Sequence, residues 1–443
     1  MLGSGSSAGS ADAASEDHKD SASLLQRAAH ATTGSTALIY FTVALYAGAF
    51  MSQQPTKVFW VARVTESSGD AAAAYATYAS FLAVLQLIGS LYSGALVDRA
   101  GAKLVLLLSL GASALVYALT AYASSLTGLF LAGIPSVLQH AVLASRSYLT
   151  ATLPNEQHAT VIGRLGVSYG VGMLVGPYLG GLLAAHSLPA AALAAALLSL
   201  ATCAMVLALL PEAKAVGVGA AVAAAAAAAE GAGGAVSAPA QQQQQQPPAP
   251  RAPPPATYQA LLAVPGLRSA LLLKGLFFAA SNLFQTVVAL LAVQRFRLDP
   301  SGMGIVLSIV GASSAAANLL APPLLAPLPL RTTLTASALA LAASIAALGL
   351  LPPGAALGLY LLCIPQTAAA AVFSTLQSTQ MTTATPPALQ GSLAAADMAL
   401  RSSTSIFAPF AASLLLQHAG HFAGTAVPAA IMAGVALMAL AAA

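Results

Sequence analysis

Three charged residues lie inside long apolar stretches, where an unpaired charge is energetically unfavourable. Asp397 and Arg401 are four residues apart in one stretch, and Lys274 lies in an earlier one. On a helix, residues four apart share a face and can pair. Such a carboxylate can accept a proton or bind a cation, and a close arginine would change its proton affinity; the alternative is a salt bridge that only positions the helix. For Lys274 we favour snorkelling of the ammonium toward the nearest polar surface, the alternative being a charge inside a cavity.

Uncharged polar residues in the same kind of stretch form a second set of candidates. His140 follows Gln139, and an imidazole near neutral pH can relay protons. Gln54 and Asn282 can line a cavity for an organic molecule of mixed polarity. Each of these side chains has a plainer explanation, which is hydrogen bonding between packed helices.

A short polar segment between two apolar stretches has a recognisable spacing. It runs from Gly94 to Lys103 and reads Gly-Ala-Leu-Val-Asp-Arg-Ala-Gly-Ala-Lys. Gly94 lets a neighbouring helix approach closely, and Gly101 permits a tight turn. The Asp98 carboxylate can accept charge-assisted hydrogen bonds, and Arg99 and Lys103 can pair with acids or with helix ends. The alternative is an ordinary charged loop.

A later apolar stretch is dominated by glycine. Gly172, Gly176 and Gly180 recur every four residues, so they line one face of a helix and form a smooth groove for another helix. Pro177 frees a backbone carbonyl and bends the helix. The same pattern includes Gly163 and Gly181. The bend beside a close helix contact is a candidate pivot, and simple small-residue packing is the alternative.

The composition sets the class of protein. Of 443 residues, 58% are hydrophobic and only 6% are charged. A soluble domain carries roughly 25% charged residues, so this chain cannot cover a water-facing surface but can cover a lipid-facing one. The small, dispersed net charge of +4 gives no reason to expect nucleic acid as a partner. No grouping of histidine, cysteine or acidic residues has metal-ligand spacing, so we expect neither a metal nor a cofactor.

Twelve apolar segments approach the ~20 residues that a membrane-spanning helix requires. We place six in a first bundle over 35–210 and six in a second bundle over 259–443. The segments are 36–53, 73–97, 103–123, 127–150, 160–184, 189–210, 269–293, 302–325, 332–352, 354–376, 390–415 and 423–442. This pattern predicts an integral, multi-pass, all-helical membrane protein. We expect it to function as a monomer in the plasma membrane or an organelle membrane.

The remaining segments are polar or of low complexity. Residues 1–34 are predicted to be a disordered cytoplasmic tail, because an acidic run replaces the basic start and apolar core of a signal peptide. Residues 211–258 join an Ala/Gly tract to glutamine and proline runs, which cannot bury enough surface to fold. We predict a long flexible linker there. With both segments in the cytoplasm, ten Lys and Arg residues fall on the inner side and four on the outer side, as the positive-inside rule requires.

The motifs together resemble the major facilitator superfamily. The segment from Gly94 to Lys103 looks like its signature G-x-x-x-D-R/K-x-G-x-R/K, and the glycine helix from Gly163 to Gly181 looks like the antiporter signature of its drug:proton exchangers. Gln86-Leu87-Ile88-Gly89, Gly163-Arg164-Leu165-Gly166 and Leu273-Lys274 are similar to the tetracycline-transporter-like group typified by solute carrier family 22 member 18. The resemblance implies two six-helix bundles, a gating loop at Asp98, and export of organic cations or drug-like molecules in exchange for protons.

Two departures from that family pattern bear on the coupling. The usual arginine near the start of the fourth segment falls on Gly133, and the acid at the end of that segment is missing from residues 148–152. The role of Asp397 in proton coupling therefore stays a hypothesis. A receptor or scaffold that kept the fold without transporting is the alternative. An enzyme is not expected, because Asp397, His140 and Lys274 form no catalytic motif.

Overall fold

The structure is a computed structural model that describes residues 33–65, 71–153, 157–212, 255–325, 327–386 and 389–441. Within these ranges the chain is almost entirely helical and contains no strand. In lipid the backbone N–H and C=O groups find no water, so a helix that pairs them internally is the stable solution for such apolar sequences. The predicted linker and tail lie almost wholly outside the described residues.

Six helices form the first half of the molecule. Helix α1 spans Thr33–Thr65 and is interrupted by a turn over 53–56. The others are α2 Ala71–Ala100, α3 Ala102–Ala121, α4 Leu126–Thr152, α5 His158–His186 and α6 Leu188–Leu209. Helix α4 changes to a 3-10 turn over Ile134–Leu138 and resumes as an α-helix at Ala141. Pro135 at the start of that turn lacks the N–H that a continuous α-helix would use.

Six more helices form the second half. A short helix, Pro255–Ala263, precedes them. The spanning helices are α7 Leu267–Gln294, α8 Pro300–Leu325, α9 Leu330–Leu350 and α10 Ala356–Ala384, followed by the helix Gln390–Ala441. That last helix breaks at Gly420, whose φ is 76°. We call its two parts α11 (390–419) and α12 (421–441).

The described residues therefore make twelve membrane crossings. Eleven helices are long and apolar enough to span a bilayer, and the last of them has 49 residues. At about 1.5 Å per residue that helix is more than twice the ~30 Å of a hydrocarbon core, so the Gly420 break divides it into two crossings. The predicted fold is confirmed. The predicted gap between 415 and 423 is wrong in detail, because the chain stays helical on both sides of Gly420.

Each half buries its own apolar core. In the first half the core includes Ile39, Leu106 and Tyr148, and in the second half it includes Phe277 and Ile345. Close packing is extensive between α3 and α6 in the first half, and between α7, α9 and the pair α11–α12 in the second. The halves meet mainly along two helix pairs, α5 with α8 and α2 with α11.

The loop side is the side that carries the Gly101 turn between α2 and α3, and the far side is the opposite one. Because the helices alternate in direction, α5, α7 and α11 begin on the loop side, whereas α8 and α10 begin on the far side. Helix α6 ends on the loop side, so the segment that joins the halves leaves from there.

Candidate functional site

Asp98, Arg99 and Lys103 surround a one-residue turn in the first half. Helix α2 ends at Ala100 and α3 begins at Ala102, so Gly101 alone makes the turn. Its φ of 87° lies in the left-handed region that glycine tolerates. Its N–H donates to the Val97 carbonyl at 2.9 Å. Asp98 and Arg99 are exposed, and within the described part of the chain their side chains form no ion pair. The turn is in place, while Asp98 and Arg99 are without ionic partners among the described residues.

The glycine face of α5 packs on α1. A Cβ added at Gly172 would lie 2.6 Å from the Gly48 nitrogen, and one at Gly176 would lie 2.6 Å from the Gly48 carbonyl oxygen. Gly180 approaches the Ser52 carbonyl even more closely. Any side chain at these positions would collide with backbone, so the period of four serves a backbone-to-backbone contact inside the first half. Gly163, the first glycine of the pattern, has nothing within 4 Å.

A second face of α5 packs on α8 of the other half. A Cβ at Gly181 would lie 2.5 Å from the Pro300 carbonyl oxygen and 2.9 Å from the Gly304 Cα. Gly304 in turn approaches the carbonyl of Pro177. Since Gly181 is near the end of α5 and Pro300 is the first residue of α8, this contact lies on the far side. Pro177 of α5 therefore lies within the contact between the halves.

The other helix pair between the halves also touches in its far-side part. The Ser80 hydroxyl, near the start of α2, donates to the Ile406 carbonyl of α11 at 2.7 Å. Toward the loop side α2 instead presents Leu91 and Tyr92, which are 70% and 71% exposed. At the loop-side end of α5, Gly163 and Gly166 have open space beside them. The identified contacts between the halves thus lie in the far-side part of these helix pairs.

A buried ammonium forms the centre of the candidate site in the second half. Lys274 of α7 is only 1% exposed. Its Nζ donates to the Ser378 hydroxyl at 2.6 Å and to the Ser374 carbonyl at 3.2 Å, both on α10. The same Nζ lies 4.0 Å from Asp397 Oδ1 on α11 and 5.3 Å from the centre of the Phe278 ring. Three helices therefore converge on one charged group.

These contacts correct two expectations from the sequence. Lys274 does not snorkel to a membrane surface, because its ammonium is enclosed by α10 and α11. Asp397 pairs with Lys274 across the helices rather than with Arg401 on its own helix. Arg401 is exposed, and its guanidinium carbon lies 5.9 Å from the Phe278 ring centre. Phe278 consequently contacts both cations, and its ring face attracts each of them.

Asp397 has the position of a carboxylate that can exchange its partner. Its side chain is 39% exposed, whereas its ammonium partner is buried. Asp397 lies seven residues, or about 10 Å, from the loop-side end of α11, and Lys274 lies equally deep in α7. The carboxylate is therefore accessible, while the ammonium behind it is fixed by its hydrogen bonds to α10.

The other predicted residues are spread over both halves. The Asn282 side chain donates to the Thr404 hydroxyl at 2.9 Å and so links α7 to α11, near Arg401. His140 lies at the break in α4, where its backbone N–H donates to the Leu138 carbonyl at 2.8 Å. Its ring Nε2 is buried without a hydrogen-bond partner among the described residues. His140 and Gln54 belong to the first half and are not brought to Asp397.

A small, mostly apolar cavity in the first half includes two residues that the sequence did not single out, Lys57 and Trp60. It has a volume of about 40 Å³, and Gln54, Lys57, Trp60 and Gln139 are among the residues that line it. A pocket for a drug-sized ligand has about 300–1,000 Å³, so this one has room for a few water molecules only. Two interruptions shape it, the turn in α1 and the 3-10 segment of α4. Pro135 was the available signal for the second interruption. Elsewhere in the described residues, no group of three histidine, cysteine or acidic side chains has the arrangement of a metal site.

Comparison with known proteins gives a family match over most of the chain. Residues 35–409 match the sequence profile of the Major Facilitator Superfamily. The chain is 38% identical over 123 residues to solute carrier family 67 member A1 from Homo sapiens, and 43% identical over 106 residues to solute carrier family 22 member 18 from Mus musculus. It is 34% identical over 116 residues to the class B tetracycline resistance protein from Escherichia coli. These alignments cover 23–26% of this chain and 26–29% of the relatives.

Solved structures agree with the fold over nearly the full length. The nucleoside transporter NupG superposes with a TM-score of 0.65 at 15% identity, covering 93% of this chain and 98% of its own. The human organic anion transporter MFSD10 superposes with a TM-score of 0.59 at 18% identity, covering 92% and 99%. At these identities the likeness establishes the fold alone.

Proposed function

The chain belongs to the Major Facilitator Superfamily, and from that premise we propose that it is a secondary active transporter that exchanges organic cations or drug-like molecules for protons. The relatives named solute carrier and tetracycline resistance protein support a small organic solute as the cargo. The alignments to them span less than a third of their length, so the proposal rests chiefly on the site itself. The observation that carries it is the pair formed by Lys274 and Asp397.

The pair allows Asp397 to take up a proton without leaving a buried charge unsatisfied. Lys274 keeps its hydrogen bonds to Ser374 and Ser378 when the carboxylate is neutralised, because neither bond involves Asp397. At 4.0 Å the Lys274–Asp397 attraction is real but lacks the short hydrogen bond of a permanent pair. Asp397 can therefore exchange between Lys274, a proton and a cationic substrate.

Competition for one carboxylate produces antiport. A protonated Asp397 attracts no organic cation, and a cation bound to Asp397 excludes the proton. Only one of the two can then be carried in each direction, which couples their fluxes. An unpaired charge inside the membrane costs about 2.5–3.5 kcal/mol, so the deprotonated carboxylate without a bound cation is more stable beside Lys274 than unpaired.

The two helix pairs that join the halves support alternating access as the mechanism. In this conformation the far side is held closed by Gly181 against Pro300 and by the Ser80–Ile406 hydrogen bond. We propose that the loop side is cytoplasmic, as the distribution of Lys and Arg indicates. This conformation then faces the cytoplasm. In the opposite conformation, Asp98 and Arg99 close the loop side and the contact between α5 and α8 opens.

Purified protein in liposomes with an imposed pH gradient tests the proposal. A panel of radiolabelled organic cations should accumulate against their own gradient when the proton gradient runs in the opposite direction. Asp397→Asn should bind substrate weakly and lose the dependence on the proton gradient, while substrate exchange without a gradient persists. Gradient-driven accumulation that is the same in Asp397→Asn as in the wild type would exclude this carboxylate as the coupling group.

A further inference from the structure

Arg401 has a place in the molecule that a structural salt bridge does not explain. It lies eleven residues, or about 16 Å, from the loop-side start of α11, which is near the centre of the membrane. Its side chain is nevertheless exposed. Exposure of a guanidinium to lipid at this depth is strongly unfavourable, so the exposed group faces the water-filled space between the halves.

The neighbours of Arg401 place its guanidinium at the boundary between the halves. On one side its Cζ lies 5.9 Å from the Phe278 ring of α7. On the other side, Tyr169 of α5, in the opposite half, is within electrostatic range. A group bound to Arg401 would therefore lie close to both halves, which is where a transported molecule has to bind.

The charges around Arg401 do not balance. Lys274 and Arg401 are two cations, and Asp397 is the one acid near them in the described part of the chain. Asp397 pairs with Lys274, and the Arg401 guanidinium has no hydrogen bond or ion pair there. Its five N–H donors therefore face the cavity without an acceptor. A planar fork of donors matches the geometry of a carboxylate, which it can bind through two parallel hydrogen bonds.

We infer that the substrate carries an acidic group, bound by Arg401, in addition to any cationic group that competes for Asp397. This inference rests on the proposed function and narrows its substrate class from organic cations in general to amphoteric organic molecules. The two side chains are four residues apart on one helix, so their Cβ atoms are about 5–6 Å apart. A molecule of modest size can therefore engage both groups at once.

Matched pairs of ligands test the inference in the purified, full-length protein. The probes are norfloxacin, tyrosine and 4-(aminomethyl)benzoate, each with its methyl ester, which keeps the cationic amine and lacks the acid. Binding is measured by competition with a bound fluorescent organic cation. The wild type should bind the acids about ten- to hundredfold more tightly than the esters, as expected for a charge-assisted hydrogen bond. Arg401→Gln should remove this preference without weakening the esters, and Arg401→Lys should keep part of it.

The outcomes separate this inference from the proposed function. Equal affinity for acids and esters in the wild type, or binding of neither, would overturn the inference. So would an equal loss for acids and esters in both Arg401 variants, since that result indicates a structural role. Gradient-driven movement of simple amines in the same preparations would leave proton-coupled transport standing in each of these cases. Arg401→Lys retains the cation and so provides a test if Arg401→Gln does not fold.

Discussion

Replacing Gly181 with alanine should drive the two halves apart on the far side. The added Cβ would lie 2.5 Å from the Pro300 carbonyl oxygen and 2.9 Å from the Gly304 Cα, where ordinary contacts are 3.4–4 Å. Both neighbours are backbone atoms, so α5 and α8 must separate by roughly 1 Å. Overpacking of this kind costs about 1–3 kcal/mol. The cost applies only while α5 and α8 touch, so it favours the conformation that is open on the far side by about 5- to 150-fold.

Spin-label distances across the far side measure this shift. His186 at the end of α5 and Leu357 at the start of α10 are both exposed, and they belong to different halves. After Cys203→Ala and Cys363→Ala, labels at these two positions should report a larger population of long distances in Gly181→Ala than in the parent protein. Gly163→Ala is the matched control, because it changes the same helix at a position with nothing within 4 Å.

The reasoning fails if Gly181→Ala and Gly163→Ala give the same distance distribution. It also fails if Gly181→Ala shortens the distances, because a methyl group between α5 and α8 cannot bring them together. A general loss of folding is recognised by size-exclusion chromatography and would appear in both halves at once. A selective opening of the far side is the outcome that the geometry predicts.

Three further perturbations have expected outcomes. Asp98→Asn should slow transport while substrate binding is retained, because the exposed carboxylate is needed only when the loop side closes; unchanged flux in liposomes would remove its gating role. Lys274→Gln should raise the affinity for tetraphenylphosphonium by about tenfold, since a repelling charge is removed behind Asp397, and equilibrium binding that stays the same would contradict this. Asp299→Ala should destabilise the start of α8 by about 0.5–2 kcal/mol at neutral pH, judged from thermal unfolding. The Ser301 hydroxyl and then the Gly302 N–H hold the pKa of the Asp299 carboxyl below its usual range. The loss of stability in Asp299→Ala should therefore disappear as the pH falls through that lowered pKa. A loss of stability that is independent of pH would argue against these hydrogen bonds as its cause.

Sequence periodicity predicted the features that depend on one helix or one turn. Twelve crossings follow from apolar length, because lipid imposes the same requirement on each segment. The spacing of Gly172, Gly176 and Gly180 correctly predicted a groove for another helix, since residues four apart always share a face. Gly101 was expected to make a turn, and its φ of 87° shows why glycine stands there.

Features that depend on several helices could not be read from the sequence. Lys274 is enclosed by Ser374, Ser378 and Asp397, which are at least 100 residues away along the chain. Helical spacing favoured Arg401 as the partner of Asp397, because local pairs are the ones a single sequence reveals. The packing of α7 against α10 and α11 instead brings Lys274 to Asp397. The identity of the helices that meet the glycines of α5 was hidden for the same reason.

Proton release on substrate binding tests the central claim most directly. Across a pH series, the wild-type protein in weakly buffered detergent solution should release up to about one proton for each tetraphenylphosphonium ion bound. This cation cannot itself lose a proton, so every proton released comes from the protein. Asp397→Asn should release none, while Asp98→Asn should behave like the wild type. Undiminished proton release from Asp397→Asn would contradict competition for this carboxylate.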